Sequence, residues 1–149
     1  SALRVVLDTS VYVAGLLNPR GGSGECLRLW YEDALFDVIA SRNLFEELLR
    51  TLHKPKLQGR FAPLQPQRSV SAFAQVAQIL EDVPSPPVLT RDSNDDFLVS
   101  LAITGAADAL VSLDDDLLTL RVIQAPKGGL IPVIRPGELL TWLRDASVL

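Results

Sequence analysis

Apolar residues in this chain follow two rhythms, short unbroken runs and stripes of helical period, and the two alternate along its length. The run Leu3-Arg-Val-Val-Leu7 stops at Asp8, as expected of a parallel strand buried on both faces. A helix is predicted over Ser10 to Leu17, and Asn18-Pro-Arg-Gly-Gly22 then breaks the chain. A second is predicted over Gly24 to Leu35, with Cys26, Leu27, Trp30 and Leu35 near one face. Phe36-Asp-Val-Ile-Ala40 reads as the next strand, and Ser41 as the N-cap of a helix from Arg42 to Leu52. The stretch Pro55 to Pro66 is expected to be irregular or to hold a short helix, because prolines interrupt it. Helical period returns over Val70 to Leu80, and Val83 to Val88 reads as a connection with room for an edge strand. Ser93 is expected to cap a helix reaching Thr104, Ala109-Leu-Val-Ser112 is a third clear strand, and Asp114 to Leu118 a short helical turn. Ile131-Pro-Val-Ile134 is a last strand, followed by a helix from Pro136 to Ala146 with proline at its start.

Strands alternating with helices predict a three-layer α/β/α sandwich around a mostly parallel central sheet. The chain has 149 residues, 48% of them hydrophobic, enough for one full core, so residues 3–149 are read as a single domain. In such a sheet a site lies beyond the carboxyl ends of the strands, where the strand order reverses. Asp8 follows the first strand directly and Asp114 follows the third, so both belong to that edge.

Composition narrows the chemistry. No apolar run approaches the roughly 18 residues of a membrane span, and no basic segment precedes an apolar one as in a signal peptide, so a soluble cytoplasmic protein is expected. Cys26 is the only cysteine, which excludes an intrachain disulfide and a thiolate metal site. Any metal must be held by oxygen. The net charge of −4 conceals a separation of sign. Arg50, Lys54, Lys56, Arg60 and Arg68 lie between Leu48 and Leu80 with no acid among them, whereas Asp92 to Asp116 contains seven aspartates and no Lys or Arg. An acidic pole beside a basic stretch suits a metal-assisted phosphodiester site, with Arg50, Lys54 and Lys56 the candidates for flanking phosphates. The competing reading is an ordinary solvated basic surface.

The acids divide by position. Asp8 stands in Asp8-Thr9-Ser10, where a strand-end carboxylate is followed by hydroxyls that can support a metal ligand, although capping the helix is an alternative role. Glu46 and Glu47 flank the apolar stripe Leu44, Phe45, Leu48, Leu49 and Leu52 equally. Arg42 and Arg50 lie four residues either side of Glu46, the spacing of surface ion pairs, which leaves Glu47 for a site. In Ser93-Asn-Asp-Asp96 the last acid completes a capping box and points away from a core stripe of Phe97, Leu98, Leu101 and Ala102, whereas Asp95 lies at the stripe's edge. Asp114 and Asp116 flank Asp115 in a tight turn that lets the outer two face one side, with Ser112 capping the turn through Asp115. Carboxylates about 4 to 5 Å apart repel by roughly 3 to 4 kcal/mol at an effective dielectric near 20, so their convergence calls for a cation.

Other features carry less. Arg20-Gly-Gly-Ser-Gly24 follows a helix and lacks the Gly-Lys-Ser/Thr ending of a phosphate loop, so it reads as a linker. His53 is the only histidine and has no nucleophile beside it in sequence, and Trp30 and Trp142 fall on apolar helical faces suited to core or dimer contact.

With these residues placed, the chain resembles the PIN domain family over essentially its full length, and within it the VapC-like toxin branch. The resemblance rests on Val-Val-Leu-Asp8-Thr-Ser, Leu44-Phe-Glu-Glu47-Leu-Leu, Arg91-Asp-Ser-Asn-Asp95-Asp-Phe-Leu and Ala107-Asp-Ala-Leu-Val-Ser-Leu-Asp114-Asp-Asp116-Leu-Leu in that order. It departs from the family pattern at Ser10, where many members have Asn, and at Leu113, where this branch often has Gly. The resemblance implies catalytic acids at Asp8, Glu47, Asp95 and Asp114 with Asp116 accessory, and Mg²⁺ or Mn²⁺ held by Asp8, Asp95, Asp114 and Asp116. Thr9, Ser10 and Ser112 would support these ligands. It further implies hydrolysis of RNA to a 5′-phosphate and a 3′-hydroxyl, a cognate antitoxin and a homodimer. A rival reading is a non-catalytic PIN module that binds RNA or regulates a partner. A haloacid-dehalogenase-like phosphatase is weaker, since that pattern wants a second Asp where Ser10 stands. A phosphoacceptor receiver is weaker too, because Lys127 lies in a Pro-Lys-Gly-Gly loop.

Overall fold

The computed structural model describes residues 3–81, 83 and 93–146, without the side chains of 93 and 94. The connection expected over 84–88, Asp92 and the Ser93 hydroxyl expected to cap a helix lie outside the described residues. In chain order the elements are β1 (Arg4–Leu7), α1 (Thr9–Leu17), α2 (Gly22–Tyr31), β2 (Asp37–Ser41), α3 (Arg42–Leu52), a 3₁₀ turn (Pro55–Leu57), α4 (Gln65–Val76) and β3 (Gln78–Leu80). They continue with α5 (Ser93–Thr104), β4 (Ala109–Val111), α6 (Asp115–Leu118), β5 (Val122–Gln124), β6 (Leu130–Ile134) and α7 (Pro136–Asp145).

The sheet runs β3-β2-β1-β4-β6-β5, and every neighbouring pair is parallel except β5 with β6. Val5, Val6, Leu7, Ala109, Leu110 and Val111 are all buried, which is why β1 and β4 are unbroken apolar runs rather than alternating ones. The chain builds outward from β1 through β2 to β3, then crosses back to place β4 on the other side of β1. The order therefore reverses between β1 and β4. Right-handed crossovers in opposite directions put their helices on opposite faces. Accordingly α1, α2, α3, α4 and α7 pack as one connected layer, while α5 packs on β1, β2 and β4.

Several expectations are corrected here. Helical period over Val70 to Leu80 overran the end of α4 at Val76, and β3 at Gln78–Leu80 is a strand paired with β2. Three residues are too few to display a period of two. The short antiparallel β5 escaped the sequence reading for the same reason. The second helix begins at Gly22 and ends at Tyr31, four residues before Leu35, because Ala34 turns left-handed at φ 51° and Leu35 N–H returns to Leu29 O. The first turn of α2 holds Gly24, where a Cβ would collide with the Pro19 carbonyl, so this glycine serves close backbone approach between α2 and the turn that follows α1.

Candidate active site

At the reversal point, Asp8 is both the residue after β1 and the N-cap of α1. Its backbone N–H continues the ladder to Val111 O, so its height at the sheet edge is set by β4. Only 5% of Asp8 is exposed, and three hydroxyls donate to its carboxylate. Ser10 Oγ and Ser112 Oγ reach Oδ2 at 2.8 and 2.7 Å, and Thr9 Oγ1 reaches Oδ1 at 3.2 Å. The two serines are themselves anchored: Leu113 N–H donates to Ser10 Oγ at 3.1 Å and Asp114 N–H to Ser112 Oγ at 2.9 Å. One hydroxyl network thus ties Asp8 to the turn carrying Asp114. Asp8 makes no side-chain cap to the α1 backbone; its carboxylate is engaged instead by the hydroxyls of the first two residues of α1 and by Ser112 across the sheet edge.

Asp114 N-caps α6, with Oδ1 accepting from Asp116 N–H at 2.9 Å. The expectation that Ser112 caps this turn through Asp115 is therefore corrected: Ser112 lies too far back, beside Asp8, and Asp114 takes the cap. Asp115 is exposed and pairs with Arg135 at 3.5 Å. Glu47 lies on α3, which starts directly after β2 with Leu44 N–H donating to the Ser41 hydroxyl, as the capping pattern predicted. Asp95 lies in the first turn of α5 and is buried.

Asp8, Glu47, Asp95 and Asp114 line one open cavity of about 440 Å³, together with Thr9, Ser10 and Lys56. Its floor is apolar, formed by Val13, Ala14, Leu57 and Leu98. Acids 19 to 48 positions from the next in sequence meet here because β1 and β4 are adjacent, α3 leaves β2 toward the same edge, and α5 begins there. The acids outnumber the one lysine among the described lining residues. Asp116 is exposed and is not on this wall, and Arg50 and Lys54 also lie outside it. Thr51, four residues after Glu47 and one helical turn along α3, lines the cavity and was missed in the sequence; the i, i+4 spacing was the signal.

Two details of the sequence argument fail. Glu46 was set aside because Arg42 and Arg50 flank it, but Arg42 pairs with Glu81 beyond β3 at 3.6 Å, and what separates the two acids is that Glu47 reaches the cavity. Asp96 does not face away from the core: like Asp95 it is only 4% exposed, while Phe97 is 44% exposed. The buried stripe of α5 is Leu98, Val99, Leu101 and Ala102, since this helix lies over three strands and is covered on more than one side.

Four carboxylates around one open cavity are a hard-oxygen donor set of the kind that suits Mg²⁺ or Mn²⁺. Among the described residues, no three Asp, Glu, His or Cys side chains are already grouped as a metal centre. Asp8 Oδ2 is held by two serines and Asp114 Oδ1 by its own cap, whereas Asp8 Oδ1 takes only the longer Thr9 hydrogen bond. The donor chemistry fits a divalent cation.

The family model described as PIN domain matches residues 4–116 of the chain, a span that holds every acid named above. The uncharacterized protein MJ1680 of Methanocaldococcus jannaschii is 28% identical over 120 residues, covering 80% of this chain and 76% of its own length. Among solved structures, PAE2754 from Pyrobaculum aerophilum superposes with a TM-score of 0.64 at 18% identity, covering 96% of each chain. VapBC2 from Rickettsia felis, solved bound to a DNA fragment from their promoter, superposes with a TM-score of 0.59 at 16% identity, covering 89% of this chain and 98% of the other. At these identities the structural likeness is one of fold.

Proposed function

The chain belongs to the PIN domain family, whose members are in general nucleases, and from that premise we propose that it is a Mg²⁺- or Mn²⁺-dependent endoribonuclease acting at the carboxylate cavity. The observation that carries this reading is the gathering of Asp8, Glu47, Asp95 and Asp114 on one wall from four separate elements. Asp8, Asp95 and Asp114, with Glu47, would hold the cation, and Asp116 at the rim would act through water. When bound, such an ion polarises the phosphodiester, acidifies an attacking water and stabilises the leaving oxygen.

The chain's own residues divide the remaining work. Ser10 and Ser112 hold Asp8 Oδ2 so that the carboxylate keeps one orientation, and Ser112 passes that constraint to the Asp114 turn through a second hydrogen bond. Supports of this kind are typically worth a factor of about 10 to 100 in metal affinity or activity. Lys56, which lines the cavity, would meet a non-bridging phosphate oxygen, and Arg50 and Lys54 would take flanking phosphates. The products would be a 5′-phosphate and a 3′-hydroxyl.

The likeness in fold to VapBC2 supports reading the protein as the toxin of a toxin-antitoxin pair with a cognate antitoxin as protein partner; an RNA substrate and a homodimeric assembly complete the proposal. No helix among the described residues is long and apolar enough to cross a membrane. The test is incubation of the purified protein with structured and single-stranded RNAs in Mg²⁺, in Mn²⁺ and in excess chelator. Cleavage only with metal supports the proposal; RNA binding without cleavage in any metal assigns the chain to the non-catalytic reading.

A further inference from the structure

Beside the carboxylate cavity, over the carboxyl ends of β2 and β3, lies a second groove of about 330 Å³. Glu47 and Leu98 line both, so the groove continues the cavity along the same sheet edge. Phe97 lies on its wall with 44% of its surface exposed, between the buried Asp96 and Leu98 on a helix otherwise well covered. Two guanidinium groups border it. Arg42 is engaged by Glu81 at 3.6 Å, whereas Arg50 is exposed and forms no ion pair among the described residues.

We propose that this groove is a nucleotide subsite for single-stranded RNA, in which an unpaired base stacks on Phe97 and the adjoining phosphate is taken by Arg50. The inference rests on the ribonuclease reading of the neighbouring cavity and adds to it a side chain on which a base of the substrate stacks. The wall chemistry favours a base in the groove itself: Glu46 and Glu81 repel phosphate there but accept hydrogen bonds from the N–H edge of a neutral base. An exposed ring beside a guanidinium is the combination that binds single strands without pairing, because every base has a stacking face and only an unpaired one can leave its neighbours. The groove shares Glu47 and Leu98 with the carboxylate cavity, so a base seated on Phe97 belongs to a nucleotide near the cleaved bond.

The test compares the protein with Phe97→Ala, Phe97→Trp and Arg50→Gln. Equilibrium binding of a short fluorescent RNA is measured in chelator at low salt, so that no turnover intervenes, and cleavage is measured separately in Mn²⁺. Phe97→Ala is expected to weaken binding by roughly 5- to 150-fold, the usual worth of one stacked base, with Phe97→Trp restoring it. Replacing the base by an abasic residue at one position should cost the native protein a similar factor and cost Phe97→Ala almost nothing further. Arg50→Gln should weaken binding and flatten its salt dependence. Duplex of the same sequence should bind no more weakly to Phe97→Ala than to the native protein. Unchanged binding by Phe97→Ala, or equal losses from the abasic residue in both proteins, overturns the subsite and leaves the groove to a protein segment. Cleavage by the native protein with that negative result leaves the ribonuclease reading standing. Base-dependent binding through Phe97 without cleavage in any metal would keep the subsite and remove the ribonuclease.

Discussion

Asp8 and Tyr12 stand four residues apart, one turn along the start of the same helix, and both are buried, yet the fold treats their polar atoms in opposite ways. Asp8 receives three hydroxyl donors. The Tyr12 hydroxyl meets no hydrogen-bond partner among the described residues and sits in an aromatic cluster with Trp30, Phe45 and Phe73, its ring centroid 5.4 to 6.4 Å from theirs. Burial alone pushes the Tyr12 phenol well above its ordinary value. The contrast separates two meanings of a buried polar group. One is held in a fixed orientation by two hydroxyls that follow it in α1 and one from the end of β4, and opens on a cavity; the other is carried into the core by the ring it belongs to.

The largest expected effects lie on the Asp8 side. Asp95→Asn should abolish cleavage and weaken metal binding, because it removes a carboxylate from the cavity wall, whereas Asp96→Asn should retain cleavage. The burial of Asp96 changes the size of its structural cost: disturbing a buried polar group costs about 1 to 3 kcal/mol, more than an exposed cap, and thermal unfolding of both variants with and without Mn²⁺ checks this. Inactive Asp96→Asn beside active Asp95→Asn would reverse the assignment. Next comes Ser112→Ala, which takes one donor from Asp8 and one acceptor from the Asp114 backbone. A loss of about 10- to 100-fold in cleavage is expected, together with a shift in the Mn²⁺ concentration needed for half activity, a readout that lost stability alone would leave in place.

Smallest and opposite in sign is Tyr12→Phe. Removing a buried hydroxyl without a partner should leave activity unchanged and stabilise the fold by about 1 kcal/mol, some 2 to 4 °C in melting temperature for a chain of this size. The pH dependence follows from the raised phenol. In the unfolded chain Tyr12 ionises near its ordinary value of 10.0 while the folded protein keeps the proton, so this contribution is complete below that pH and falls away above it. The variant lacks the group and should lose less stability than the native protein above pH 10.0, a difference readable from urea unfolding at two pH values. A destabilised Tyr12→Phe would mean that the hydroxyl has a partner after all and that the contrast with Asp8 is false.

What was legible in the sequence was whatever a single element carries within itself. Val-Val-Leu-Asp8 shows a buried strand ending in an acid, Ser41 shows its cap three residues before Leu44, and Pro136 opens its helix. Relations between elements were harder to read. The choice of Glu47 over Glu46 rested on ion pairs within α3, but Arg42 finds its partner beyond β3, a residue that helical spacing cannot see. The register of α5 misled because three strands lie beneath it, so its apolar positions run round the helix and no stripe marks one inner face. The strands β3 and β5 sit at the two sheet edges and are too short for alternation to register. The serine network around Asp8 was legible in part: Thr9 and Ser10 follow it in sequence, but that Ser112 donates to the same oxygen as Ser10 depends on the adjacency of β1 and β4.

The central claim is that the donor-held carboxylate at the end of β1 belongs to a metal-dependent ribonuclease site. Its most direct test is the initial rate of RNA cleavage by the native protein and by Asp8→Asn across a Mn²⁺ titration, each also in excess chelator. The account predicts cleavage by the native protein that rises with Mn²⁺ and vanishes on chelation, and none by Asp8→Asn although it unfolds cooperatively. Cleavage that survives the chelator, or an Asp8→Asn protein as active as the native one, would contradict it.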